Sequence, residues 1–297
     1  MPFELSVEKL IGILEKEKLS LGEYTLRSEM EESEKSREEV LSEMAQVLAT
    51  MREAASQGRE RPVKSVSGLT GGDAYRYQQA IDSQRTIMGQ VMSDSVSMAL
   101  SCSEVNASMG RIVACPTAGS CGIVPGALLA AAKKFHKSDG EILMALFTAS
   151  GVGIIIGSKA TLSGAEGGCQ AECGSATAMA AAAICEMLGG TPSQAFDAAA
   201  VALKNVMGLV CDPVAGLVEI PCIKRNASGA VNAILCADLA LAGVPSYIPF
   251  EDTVEAMYKV GQSMCGALKE TAQGGLAVTP AGIRLRNRVL GVKPQTK

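Results

Sequence analysis

The chain has no tryptophan, a single histidine, and aromatic residues at only 3% of its 297 positions. Each scarcity removes a class of chemistry. A histidine-rich metal site or a histidine-based triad within this chain would have to use His136. That residue sits in KKFHKS, a Lys-rich run that reads as solvated surface. No G-x-G-x-x-G, Walker A run or G-x-S-x-G occurs, so nucleotide binding and serine-hydrolase chemistry have no positive support. Basic excess is also missing: 27 Lys and Arg against 31 Asp and Glu give a formal charge of −4, and the pI is about 5.3. A nucleic-acid footprint is therefore not expected. Mean hydropathy is +0.21, yet neither uncharged stretch makes a good lipid-facing span. Residues 112–132 contain Pro116 and Pro125, and residues 142–158 contain Gly151, Gly153 and Gly157 between charged flanks, so no membrane partner is expected.

What is present is small and apolar. With 31 Gly, 14 Met, 10 Cys and 47% hydrophobic residues, the chain is built for close backbone approach between many small-residue elements. Residues 5–18 and 24–55 read as amphipathic helices, the second with Val40, Leu41, Met44, Val47, Leu48 and Met51 on one stripe. Segments such as ATAMAAAAICEML and PSQAFDAAAVALKNVMGL are strong helix formers, and period-2 alternation is rare. The expectation is a mainly α fold, with short strands conceivable only at GIII and GLVEI. Three divisions are expected: an N-terminal amphipathic helical layer at 1–60 belonging to the same domain, a helical core at 61–278, and a basic C-terminal tail at 279–297. The first 60 residues carry 14 acidic and 8 basic groups, so most of the acidity lies in that layer. Ser65 to Asp73 form a Gly-rich polar loop, either a cradle of N–H groups for an anion or a plain turn.

Ten cysteines behind a start that lacks a secretory pattern point to a reducing, cytoplasmic setting. Cys102, Cys115, Cys121, Cys173, Cys185, Cys236 and Cys265 sit mostly in apolar or Ala-rich segments and read as core residues. Cys169, Cys211 and Cys222 differ, because each lies at an element end beside Gly or Pro, where the backbone can turn a thiolate toward a shared centre. Their spacing, 41 and then 10 intervening residues, is no compact metal motif. The rival pair is Cys169 with Cys173, which share a helix face at i and i+4 and would need two further ligands to hold zinc. Pyridoxal phosphate is not expected, since Lys159 in IIIGSKATLSG, the nearest Schiff-base candidate, has no phosphate loop beside it.

At SGLTGGDA, CPTAGSCGIVPG, SGAEGGCQAECGSATAMAAA, CDPVAGLVEIPCIKRNASGAVNA and KETAQGGLAV, the sequence resembles the alpha subunit of bacterial iron–sulfur-dependent L-serine dehydratase (L-serine ammonia-lyase). The resemblance runs over about residues 35–278. It implies an all-helical domain holding a [4Fe–4S] cluster through Cys169, Cys211 and Cys222. Three thiolates on a cubane leave one iron open as a Lewis acid for the β-hydroxyl of L-serine. Loss of the α-proton and that hydroxyl leads through aminoacrylate and imine to pyruvate and ammonia. Substrate-binding donors are then expected in Ser67, Thr70 and Gly71, in Thr117 and Ser120, and in Arg225 and Asn226. The α-proton base is not identified; Lys159 is a weak candidate that would need desolvation to lower its pKa. The family also implies a beta component, fused in some members and separate in others. This chain is expected to be a separate alpha subunit in a hetero-oligomer with a beta subunit. One feature departs: single-chain relatives end soon after GGLAV in a Cys that caps the open iron. Here TPAGIRLRNRVLGVKPQTK follows, with no Cys after Cys265, so capping by this tail is not carried over.

Overall fold

The computed structural model describes residues 5–292. Among the described residues there are thirteen α-helices and no β-strand: GIII lies inside a helix and GLVEI in a turn. The helices are α1 (Val7–Glu17), α2 (Leu21–Ser33), α3 (Arg37–Glu60), α4 (Asp73–Asp82), α5 (Gln90–Ala107), α6 (Ile123–Lys134) and α7 (Asp139–Lys159). There follow α8 (Gly164–Gly167), α9 (Ser175–Met187), α10 (Pro192–Asn205), α11 (Cys222–Leu241), α12 (Phe250–Ser263) and α13 (Pro280–Val289).

Two helices lie at the centre. Every residue of α9 except Glu186 is buried, and α6, α7, α10 and α11 pack around it. Its alanines present almost no side chain, so neighbouring backbones come close and the core needs few aromatics. The second central helix, α5, is buried from Ser93 through Val105 and packs against α3, α4, α6 and α11. Glycines permit the same closeness elsewhere: a Cβ on Gly22 of α2 would run into Met144 O of α7.

The expected helix over 24–55 is two helices. Ser36 accepts from Glu39 N while the Glu39 carboxylate accepts from Ser36 N, a capping box that starts α3 afresh, and Glu34 ends α2 in a left-handed conformation. The S-R-E-E signal was in the sequence, but the continuous apolar stripe masked it. α1 to α3 share one apolar core with the rest of the chain through Val7, Leu10, Leu14, Leu21, Leu48 and Met51.

Carboxylates remote in sequence start three helices. Glu251 accepts from Val7 N, Glu104 from Asp73 N and Ala74 N, and Glu186 from Leu21 N and Gly22 N. Negative charge at these N-termini meets unpaired N–H groups and the positive end of the helix dipole. The one helix long and apolar enough to cross a membrane among the described residues is α7, but it serves as a core helix, with eleven of its residues buried against α2 and α9. The expected basic tail is helical over α13, which lies on the turns at 214–216 and 275–278; residues 293–297 of that tail fall outside the described residues.

Candidate functional site

The three singled-out cysteines come from three chain breaks that fold onto one another. After α7 the chain makes the single turn α8, passes Gly168 with φ +77°, and enters a π-turn at Gln170–Gly174 that runs into α9. Cys169 stands at the head of this turn. Gln170 fastens it: its amide donates to Gly167 O and Met257 O, and its oxygen accepts from Gly208 N. Cys211 is pinned from the opposite side, since its N–H donates to Leu268 O and its carbonyl accepts from Glu270 N. Both are backbone contacts that dock the KETAQGG segment on CDPVAG. Cys222 is the first residue of α11, so Arg225 and Asn226 follow it at i+3 and i+4 on the same face.

Arg225 joins the three breaks. Its guanidinium donates to Val210 O at 2.8 Å and to Asp212 Oδ1 at 2.9 Å, and it also hydrogen-bonds Cys169. Asp212 in turn accepts from Leu276 N. The thiols are almost fully enclosed, with 2%, 4% and 8% of Cys169, Cys211 and Cys222 exposed. Their electrostatics diverge. A hydrogen bond from Cys173 and the positive charge of Arg225 hold the Cys169 thiol below its usual range despite burial. Burial, reinforced by the negative charge of neighbouring groups including Cys169, pushes Cys211 up and Cys222 to about 12. Cys211 and Cys222 both respond to Cys169, and Cys211 also to Cys222, so the three share one electrostatic neighbourhood.

The donor set is of the kind that holds an iron–sulfur cluster: three enclosed thiols from separate breaks, beside a half-buried guanidinium that would balance their charge. Glycine keeps the space open: a Cβ on Gly164 would lie 3.2 Å from Cys211 Sγ and collide with the Glu172 carboxylate.

The other expected residues divide. Thr117 donates to Glu172, within the thiol neighbourhood. Ser120 turns inward to Cys115 O. Asn226 is fully engaged, donating to Gly119 O and Cys222 O and accepting from Gly122 N, so it fixes the CPTAGSCG loop to α11. Ser67 caps Leu69 N within its own loop, and Gly71 bridges Lys64. Thr70 donates to Glu219 Oε2 at 2.5 Å. That contact brings the Gly-rich loop to the segment before Cys222, around a cavity of about 680 Å³ lined by Lys64, Thr70, Arg76, Glu219 and Lys224. Lys159 pairs with Glu251 at 2.6 Å, at the far end of α12 from Gly261, which abuts Gly167. Ten residues of helix separate the two ends, about 15 Å.

One cysteine departs from the expected core set: Cys265 is exposed, whereas Cys173 is in the core as expected and there lies 3.3 Å from Cys169 Sγ. Sequence reasoning also missed Glu172, whose burial raises its carboxyl pKa despite the Thr117 hydrogen bond. The signal was available: Glu166 and Glu172 are the only charged residues between Lys159 and Glu186.

The sequence profile of the family described as "Serine dehydratase alpha chain" matches residues 16–277. The chain is 49% identical over 286 residues to the probable L-serine dehydratase, alpha chain, of Bacillus subtilis (strain 168), covering 96% of this chain and 95% of that one. It is 45% identical over 285 residues to the L-serine dehydratase, alpha chain, of Peptoniphilus asaccharolyticus, covering 96% and 98%. Against L-serine dehydratase TdcG of Escherichia coli (strain K12) the identity is 34% over 294 residues, 94% of this chain but 62% of the longer relative. A profile spanning most of the chain and two relatives matched nearly end to end show that the chain belongs to the serine dehydratase alpha chain family.

Proposed function

We propose that this chain is the alpha subunit of a two-subunit, cytoplasmic L-serine dehydratase that converts L-serine to pyruvate and ammonia. The observation that carries the reading is the gathering of Cys169, Cys211 and Cys222 around Arg225 by three separate chain breaks. These thiols would hold a [4Fe–4S] cluster, which when bound supplies a Lewis-acidic iron with no cysteine ligand.

The chain's own groups do the rest. Arg225 balances the negative charge of the thiolates and keeps the three breaks in register. Glu172, whose carboxyl pKa burial raises, is the group of this chain assigned to protonate the departing hydroxyl. Lys64 offers the adjoining cavity a cation for the serine carboxylate, Arg76 and Lys224 line it paired with Asp73, and Thr70 and Glu219 anchor its wall. No group of this chain is assigned as the α-proton base: His136 is exposed at the end of α6 and Lys159 is paired with Glu251.

The test is turnover. Chain loaded anaerobically with iron and sulfide, then mixed with its partner subunit, is expected to form pyruvate and ammonia in equal amounts from L-serine. Full loading with no pyruvate from L-serine, or turnover of a different small hydroxy acid instead, would sink the reading.

A further inference from the structure

Cys173 is a thiol that the proposed chemistry does not use, yet it lies against one that it does. Its Sγ is 3.3 Å from Cys169 Sγ, and both side chains are enclosed. Other buried thiols turn to oxygen instead: Cys115 to Val113 O, Cys121 to Cys102 O, and Cys236 to Asn232 Oδ1.

The backbone around the pair suits a covalent bond. In an α-helix, Cα atoms at i and i+4 are about 6.2 Å apart. That is near the upper end of the roughly 4.4–6.8 Å range of disulfides. The residues from Gln170 to Gly174 form a π-turn, in which the wider winding lowers the rise and draws such positions closer. Gly168, with φ +77°, precedes Cys169, and Gly174 follows Cys173, so the segment is bounded by the two residues best able to absorb a small adjustment.

We infer that Cys169 and Cys173 form an oxidative modification site: in the cluster-free chain, a mild oxidant such as hydrogen peroxide joins them in a disulfide. One sulfur attacks the peroxide, giving a sulfenic acid and releasing water; the second sulfur then displaces a further water to form the S–S bond. Both thiol protons leave in the two waters, and the two electrons given up by the sulfurs reduce one peroxide. Resting on the proposed function, the consequence is that Cys169 is withdrawn as a cluster ligand until a reductant restores it. A chain that has lost its iron would be held in a recoverable state rather than carried to irreversible sulfinic acid.

The experiment uses the full-length chain stripped of iron under argon, treated with stoichiometric hydrogen peroxide, alkylated and digested. The peptide spanning residues 160–204 carries Cys169, Cys173 and Cys185. It is expected to lose about 2 Da, to take up alkyl label on Cys185 alone, and to regain two labels after dithiothreitol. Iron uptake by the oxidised chain should fall to a small fraction and return on reduction, whereas Cys173→Ser and Cys173→Ala chains should show no such loss that a thiol reductant reverses. No disulfide in this peptide, or a bond from Cys169 to Cys211 or Cys222 instead, overturns the inference. Formation of the Cys169–Cys173 bond with undiminished iron uptake supports the modification site and counts against Cys169 as a cluster ligand.

Discussion

Cys185 and Cys211 are both buried, yet their surroundings have almost nothing in common. Cys185 sits late in α9 among alanines, fully enclosed, with Gly190 closing over its sulfur. Its charged neighbours are Glu186 and Asp197, and burial pushes its thiol to about 12. It fills space. Cys211 sits in a break between helices, held through its backbone by Leu268 and Glu270, with Arg225 fastened to the residues on either side of it. A helix interior leaves a thiol facing its packing neighbours, whereas a break bounded by Gly or Pro can aim it and bring a cation alongside. Position relative to the helices, rather than burial, separates the two roles.

Replacing sulfur with oxygen at both kinds of position should separate them most strongly. Cys211→Ser and Cys222→Ser are expected to abolish iron–sulfur loading, measured as iron and sulfide per chain, while Cys185→Ser should load almost fully. The reverse pattern would mean that the core thiols, not the break thiols, are the ligands. Next in size is Arg225→Ala, which cuts the ties to Val210 O and Asp212 together. Loading or turnover should fall by about 10–100-fold, as for partners that orient metal ligands. Arg225→Lys should recover only part, because an ammonium cannot reproduce the forked contacts.

Gly164→Ala probes the space rather than the ligands. The added methyl meets Glu172 and Cys211, and overpacking of this kind costs about 1–3 kcal/mol, so reduced loading with a lowered melting temperature is expected. Glu186→Ala belongs wholly to the packed region. Losing the acceptor for Leu21 N, Gly22 N and Thr148 Oγ1 should cost about 2 kcal/mol of stability by denaturant titration, with iron loading unchanged in the folded protein. Smallest is Lys159→Met. Its partly exposed pair with Glu251 contributes at most about 1 kcal/mol, and turnover per loaded chain should stay near wild type. A large loss of turnover there would restore Lys159 as the base.

Much of this difference was legible in the residues themselves. Alanine-rich runs without alternation pointed to packed helices, and Gly or Pro beside Cys169, Cys211 and Cys222 marked the breaks. The division of 24–55 into α2 and α3 was present in the Ser36 to Glu39 capping box but hidden behind a stripe that keeps its period across the break. Contacts that join distant residues left no local trace. Nothing near Glu186 announces that it caps α2, and nothing near Gln170 shows that it clamps Gly208 to α12. The three hydrogen-bond partners of Asn226 are likewise visible only once α11 meets the CPTAGSCG loop. Cys173 is core, as its apolar surroundings suggested, but the π-turn that sets it against Cys169 has no clear sequence signature.

Whether the three break thiols hold one multi-iron cluster is decided by anaerobic reconstitution of the wild-type chain, followed by assay of iron and acid-labile sulfide. About four irons and four sulfides per chain are expected, with near-zero values for Cys211→Ser prepared in parallel. Stoichiometric zinc with no iron uptake, or undiminished iron in the Cys211→Ser chain, would contradict it.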